Sequence, residues 1–299
     1  MANTTTQNDP WIPEVVANES IGYLQSFLNL GKTVSKDTDM SPARFGQTMT
    51  IPKRGVITAQ QKTEDSDAST QQVAGTEVSV SVDQHWYVRI GEEDFTAALQ
   101  RDETLPGYAQ DAVMVLAEKI ESVIAALISS FDNIDAGSSA GDALEGVVDL
   151  RKNMIDNKVP TTMQRYLYAS PRFVARLLKE EAFVDPKIIP NNRALVEGAV
   201  GRVSGFDVFE GQLTPTAGSP AWDQNFGYTR NAIVLASRPL RDVPSSMGVE
   251  SATVASDAGI ALRFQRFYDT AEMAMVVQLD TLFGAAVNDE RQGFVLESQ

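Results

Sequence analysis

Hydrophobic positions in the first thirty residues recur at helical intervals. Val15, Val16, Ile21, Leu24, Phe27 and Leu28 follow Pro13, and Gly31 closes the run. This predicts an N-terminal helix from Trp11 to Gly31 behind a short polar tail. The period then falls to two. Met49 and Ile51 alternate with Thr between Gln47 and Ile57, and Val78, Val80 and Val82 alternate with Ser and Glu between Thr76 and Asp83. Both segments read as half-buried strands. Ala59 to Gly75 between them offers almost nothing to a core, so the pair predicts a long hairpin with a polar tip. A hairpin of this kind is marginal alone in water and is expected to need another surface to lie on.

The helical period returns at Glu92 to Gln100, read as a short helix, and then in a longer one opened by Thr104 and Pro106. Its stripe is Ala109, Val113, Leu116, Ile120, Val123, Leu127 and Phe131, with Asp111, Glu118, Lys119 and Glu121 assigned to the opposite, polar face. About 26 residues at 1.5 Å each give a helix of roughly 39 Å. The small-residue stretch IDAGSSAGDA reads as a linker to a second, α/β unit. That unit is expected to hold a helix from Asp142 to Asn157 and a strand from Tyr166 to Ala169. A further helix, capped by Ser170 and opened by Pro171, is expected to run to Glu181. Val203 to Phe209 and Ala232 to Ala236 predict strands, as do Gly259 to Phe267, Ala271 to Leu282 and Phe294 to Leu296. No period of 20 to 50 residues repeats.

Charge sharpens the division. The 299 residues carry 25 Lys and Arg against 40 Asp and Glu, a formal net charge of −15. The excess acid is concentrated in residues 61–150, with four basic against eighteen acidic side chains, whereas residues 151–200 reverse the sign with nine against five. A boundary near 140–150 follows. A chain this acidic repels a polyanion at long range, which argues against specific DNA binding. No Cys is present, so disulfides, thiolate nucleophiles and Cys-ligated metals are excluded, and the single His85 excludes a multi-histidine site. The longest apolar run, Val123 to Ile128, is far too short to span a bilayer, and MANTTTQNDP lacks a basic-then-apolar signal.

Candidate chemistry is sparse. Gly137, Ser139 and Gly141 match G-x-S-x-G, but a nucleophile elbow needs a preceding strand and a downstream His, and His85 lies upstream. The stretch reads as linker. Gly31, Lys32 and Thr33 end like a phosphate loop, yet Ser26 stands where its first Gly belongs, so this reads as a helix stop. Glu64, Asp65 and Asp67 lack the Gly and closing Glu of a calcium loop and read as a solvated tip. His85 reads as a neutral imidazole among Trp86 and Tyr87. Glu92, Glu93 and Asp94 read as acids favoured by a helix start. Nothing here points to an enzyme, a cofactor or a metal.

The ordered blocks nevertheless resemble a family, the major capsid proteins of tailed bacteriophages with the Hong-Kong-97-like fold. IPEVVANESIGYLQSFL resembles the family's N-terminal arm helix. MTIPKRGVIT with TEVSVSVDQHWYVRIGEEDF resembles its extended hairpin, the E-loop. PGYAQDAVMVLAEKIESVIAALISSF resembles the spine helix. The stretch VVDLRKNMIDNKVPTTMQRYLYASPRFVARLLKEEAF with GRVSGFDVFEG resembles the axial domain, and ALRFQRFYDTAEMAMVVQLDTLFGAAV the strands returning to the peripheral domain.

The resemblance implies an α+β fold divided into an arm (1–46), a hairpin (47–91), a peripheral domain (92–136 and 259–299) and an axial domain (137–258). It implies a structural role, with self-assembly through hexamers and pentamers into a shell around double-stranded DNA that is enclosed without sequence-specific binding. The shell is expected in the virion after assembly in the host cytoplasm, with no membrane. Only about ten residues precede the arm helix, so any scaffolding needed is expected from another chain, or else the sequence is already the mature form; portal and decoration proteins are further candidate partners. Inter-subunit contacts are expected from Lys53, Arg54, Lys62, Glu64, Asp65 and Asp67 on the hairpin and from Arg89, Glu92, Glu93 and Asp94 beyond it. A basic axial patch of Arg165, Arg172, Arg176 and Lys179 is expected to face acidic protein surface. Lys53 and Lys62 show no spacing that signals covalent crosslinking. Two alternatives are an encapsulin-type compartment of the same fold and a hydrolase using Ser139.

Overall fold

A computed structural model describes residues 17–22, 24, 28–37, 48–53, 57–64, 67–68, 70–73, 75–93, 105–134, 143–179, 201–218, 221–255 and 259–298. Two sheets dominate. The six-stranded sheet has the order β1 (Ser35–Asp37), β11 (Ile233–Ser237), β14 (Ala274–Val287), β13 (Ala261–Asp269), β12 (Val249–Ala255), with β4 (Gln84–Glu93) also on β14. The seven-stranded sheet has the order β5 (Asn133–Ile134), β15 (Gly293–Ser298), β10 (Trp222–Thr229), β6 (Arg165–Ala169), β8 (Phe206–Glu210), β7 (Arg202–Val203), with β9 (Thr216–Ala217) on β10. β2 (Thr48–Lys53) and β3 (Thr76–Ser81) form the expected antiparallel hairpin.

Sheet membership crosses the linear boundaries. β11 and β12 lie within the stretch assigned to the axial domain but pair in the six-stranded sheet, and C-terminal β15 pairs in the other. β4, assigned in part to the hairpin, pairs with β14 from Gln84 to Glu93. Glu92 and Glu93 therefore end a strand and do not begin a helix. The long partner β14 supplies ladder hydrogen bonds that outweigh the local preference of the GEE stretch.

Helical residues 17–22 and 24 (α1) and the helix Leu105–Ala126 (α3) bury one apolar face against the six-stranded sheet. Val113, Leu116, Ile120 and Ile124 of α3 meet Leu262, Phe264, Leu279 and Phe283 in a core that also takes in Leu24 and Leu28. At 22 residues α3 is shorter than the expected 26, because Ile128–Ser130 tightens into a 3₁₀ turn before Phe131 becomes extended. Gly31 is no stop. It lies inside a separate four-residue turn, Leu30–Thr33 (α2), and its amide and that of the preceding N-cap residue Asn29 donate to Oε1 of Glu121. Glu121, assigned to the polar face, is thus only 5% exposed. Burial pushes its carboxyl pKa up, and the amide hydrogen bonds oppose the shift without reversing it.

The second core lies between the seven-stranded sheet and the helices α4 (Ala143–Asp156) and α5 (Pro171–Lys179). Val147, Leu150 and Met154 recur at helical spacing and face Leu167, Phe206 and Leu296. Leu150 comes so close that a Cβ on Gly227 would lie 2.1 Å from its Cδ2, which reserves that strand position for glycine. Ser170 caps α5 as expected, accepting from the Phe173 amide at 3.2 Å. The expected strand Val203 to Phe209 is instead the hairpin β7–β8. Ser204 and Gly205 both have positive φ, 49° and 92°, the requirement of a tight two-residue turn. The linker residues 135–142, with Gly137, Ser139 and Gly141, lie outside the described residues, as do 94–100.

Candidate subunit interface

The base of the hairpin rests on its own chain. Val80 is fully buried and Val82 nearly so, packed with Ile51 against Val234, Ala236, Leu282 and Ala286. The expectation of a hairpin without a seat is therefore corrected for its base. Alternation places the valines of β3 on one face, and β11 and β14 present a matching apolar surface. Backbone approach is close enough that a Cβ on Gly284 would stand 1.9 Å from the Ser81 carbonyl oxygen. At the end of the ladder next to the tip, Lys53 Nζ donates to the Asn288 carbonyl at 3.1 Å and to Asp289 Oδ1 at 3.2 Å. Burial works against ionisation of Asp289, but hydrogen bonds from Arg291, Gln292 and Lys53 outweigh it and hold its pKa at about 2.

The tip is different. Its described residues from 57 to 75 are exposed almost throughout, including Lys62, Glu64 and Asp67, and Ile57 and Val73 present 76% and 43% of their surface. The Thr58 amide and hydroxyl both donate to Gln71 Oε1 across the tip, at 3.2 and 3.4 Å.

The outward face of α3 carries two adjoining grooves. One, of about 510 Å³, lies between α3 and β4 and is lined by Trp86, Tyr87, Val88, Val115, Leu116 and Lys119, among others. Lys119 Nζ sits 4.2 Å from the Trp86 ring centroid, a cation–π contact that covers part of its wall. Tyr87 and Val115 remain 62% and 55% exposed. The other, of about 560 Å³, shares Val115 and Glu118 and continues past Met114 to Tyr168, Glu210 and Leu213. Exposed apolar side chains gathered in this way mark interaction surfaces. The run Val113-Met114-Val115-Leu116 carries the signal in sequence, because two of its residues must fall off any single helical stripe.

The candidate residues divide. Arg89 is engaged within the chain, with ion pairs to Asp269 and to Glu272 at 3.6 Å, and lies 5.2 Å from the Phe267 ring centroid. Lys53 anchors β2 where the strand meets the tip. Arg172 and Lys179 are exposed on α5 and Arg176 half-buried, at spacings that place the three on one face. Arg165 does not join them: it is buried, 4% exposed, at the start of β6, on the strand face it shares with Leu167. His85 is not enclosed by aromatics; its half-exposed ring has Nε2 3.4 Å from Asp280 Oδ2. Arg54, Asp65 and Asp94 lie outside the described residues, as do the side chains of Glu92 and Glu93.

No protein-family model matches the sequence, and no curated protein matches it. Solved structures do. The chain is similar to that of Mycobacterium phage Che8, with a TM-score of 0.65 and 14% identity over 91% of this chain and 90% of that one. For the capsid structure of the cyanophage P-SCSP1u the TM-score is 0.65 and the identity 13%, over 89% and 86% of the two chains. A virus-like particle from Pyrococcus furiosus is similar at a TM-score of 0.54 and 11% identity, over 94% and 97%. At such identities the likeness is one of fold, and the chain has the α+β fold of phage capsid subunits across nearly its whole length.

Proposed function

We propose that this chain is the major capsid protein of a tailed bacteriophage, a structural subunit that assembles through hexamers and pentamers into an icosahedral shell enclosing double-stranded DNA. The fold shared with phage capsid subunits over about nine-tenths of the chain supports this reading above all. In it, the six-stranded sheet with α3 is the peripheral domain and the seven-stranded sheet is the axial domain. The hairpin tip is the E-loop, seating Ile57 and Val73 in the α3–β4 groove of a neighbouring copy. Lys62, Glu64 and Asp67 are its polar rim. Arg172, Arg176 and Lys179 face acidic surface on an adjacent axial domain, and the net charge of −15 keeps the enclosed DNA from adhering to the wall. The role is not enzymatic. Scaffolding, portal and decoration proteins are its partners in the host cytoplasm, and the finished shell is the virion capsid.

Sedimentation and electron microscopy of the purified protein, with scaffold supplied, test the proposal. Closed megadalton shells are expected, and a persistently monomeric 32.5-kDa species would contradict them. Shells from native particles are expected to hold DNA; protein cargo without DNA would instead favour an encapsulin-type compartment.

A further inference from the structure

The two faces of the seven-stranded sheet carry surfaces of opposite charge. Alternation along β6 sends Tyr168 to one face, where it joins the core shared with α3. Leu167 and Ala169 go to the other, where they join Phe173, Val174 and Leu177 of α5. On the first face, the groove of about 560 Å³ beside α3 has buried Tyr168 at its floor and Met114, Val115 and Leu213 on its walls. Asp111, Glu118 and Glu210 stand exposed around it, and among the described residues none that lines it is basic. On the second face, α5 turns Arg172, Ala175 and Lys179 to solvent, with half-buried Arg176 beside them. Its sequence, PRFVARLLK, contains no acid, whereas neighbouring α4 mixes Arg151 and Lys152 with Glu145, Asp149 and Asp156.

These surfaces match in spacing as well as in sign. Asp111 and Glu118 are seven residues apart on α3, and Arg172 and Lys179 are seven apart on α5. Two helical turns, roughly 10 Å along the axis, separate each pair and place both members on one face. Between the acids lies Met114, 45% exposed, and between the cations lies Ala175, small enough to admit it. Asp111, Glu118, Arg172, Arg176 and Lys179 form no ion pair among the described residues. Because the groove and α5 lie on opposite faces of one sheet, α5 cannot reach the groove of its own subunit. A contact between them runs from one copy to the next, and such heterologous contacts close into rings.

We propose that α5 of one copy docks in the α3 groove of the next, with Arg172 and Lys179 against Asp111 and Glu118 and with Met114 packed on Ala175. The inference rests on the assembly proposal and narrows the acidic surface invoked there to the groove between α3 and the end of β8. Exposed ion pairs contribute little singly. Here they flank an apolar contact, and paired charges at such a junction govern orientation and the rate of encounter.

Charge reversal tests the contact. Arg172→Glu/Lys179→Glu and Asp111→Lys/Glu118→Lys alter exposed positions only, so each double variant is expected to keep the wild-type urea midpoint. Each alone sets like charge against like, and ring formation followed by sedimentation is expected to slow at least about tenfold. Should a reversed chain fail to fold, Arg172→Gln/Lys179→Gln, which removes charge without inverting it, is expected to fold and to slow assembly less. A chain with all four reversals restores opposite charges at every junction and is expected to assemble with itself as the wild type does. Mixed in equal amounts, the two reversed double variants are complementary only in alternation, which a ring of six permits and a ring of five forbids. Hexamers without pentamers are expected from that mixture. Double variants that assemble as well as the wild type, or a fourfold variant that stays impaired, would overturn the docking and leave the assembly proposal standing. A wild-type chain that remains monomeric with scaffold supplied would overturn both.

Discussion

The base and the tip of the β2–β3 hairpin belong to one supersecondary unit, yet they answer to different physics. At the base, Val80 of β3 and Val82 just beyond it enter a closed apolar contact with β11 and β14, and where β2 meets the tip Lys53 is tied to Asp289. At the tip, Ile57 and Val73 stand in solvent beside the Thr58–Gln71 hydrogen bonds. The base contributes to the folding of its own subunit. The tip contributes almost nothing there, and its apolar side chains gain free energy only if another surface covers them. One hairpin thus carries a stability function at one end and an association function at the other.

Substitutions that separate the ends break or sharpen this contrast. The largest effect is expected from Gly284→Val, since even a Cβ there collides with the Ser81 carbonyl; about 3 kcal/mol of stability should be lost by urea titration. Val80→Ala, emptying a fully buried site, should cost about 2 kcal/mol in the same titration. A smaller effect with a defined pH signature is expected at Asp289. Its folded pKa of about 2 lies below the ordinary 3.8, so its contribution is complete above the latter value and fades as the pH falls towards the former. Wild type and Asp289→Asn should therefore differ in urea midpoint at pH 6 and converge in strong acid; a difference that persists there would remove the Lys53 anchor from the account. The smallest effect on stability, within about 0.5 kcal/mol, is expected from replacing residues 59–75 by a short turn, although shell assembly should then fail. Loss of the cooperative thermal transition in that variant would place the tip inside the subunit's own fold.

Most of the elements were legible because their periods are strong: the alternating valines of β3, the stripe of α3, the Ser170-Pro171 start of α5. What the pattern hid is tertiary. β10, with the sequence WDQNFGYT, shows little alternation because both its faces are covered, by Phe131 and Tyr168 on one side and Leu150 on the other. β4 continues to Glu93 only because β14 is long enough to pair with it. Glu121 and Arg165 read as surface charges, since polar residues on helices and strand ends usually are. The burial of Glu121 comes from a distant partner, the α2 turn 90 residues away, and Arg165 shares its strand face with Leu167, which packs against α4. In sequence Trp86 and Tyr87 look like company for His85, whereas their exposed rings line a surface with α3.

Because the chain contains no cysteine, a single engineered pair can test the division between base and tip directly. Ile57→Cys places a thiol on the tip, and Val115→Cys places one in the α3–β4 groove. Co-assembled from two singly substituted chains and oxidised within sedimenting particles, they are expected to yield disulfide-linked dimers containing one chain of each kind. Intact particles in which the two chains never link, or a doubly substituted chain that closes only on itself, would contradict the assignment of the tip to a neighbouring subunit.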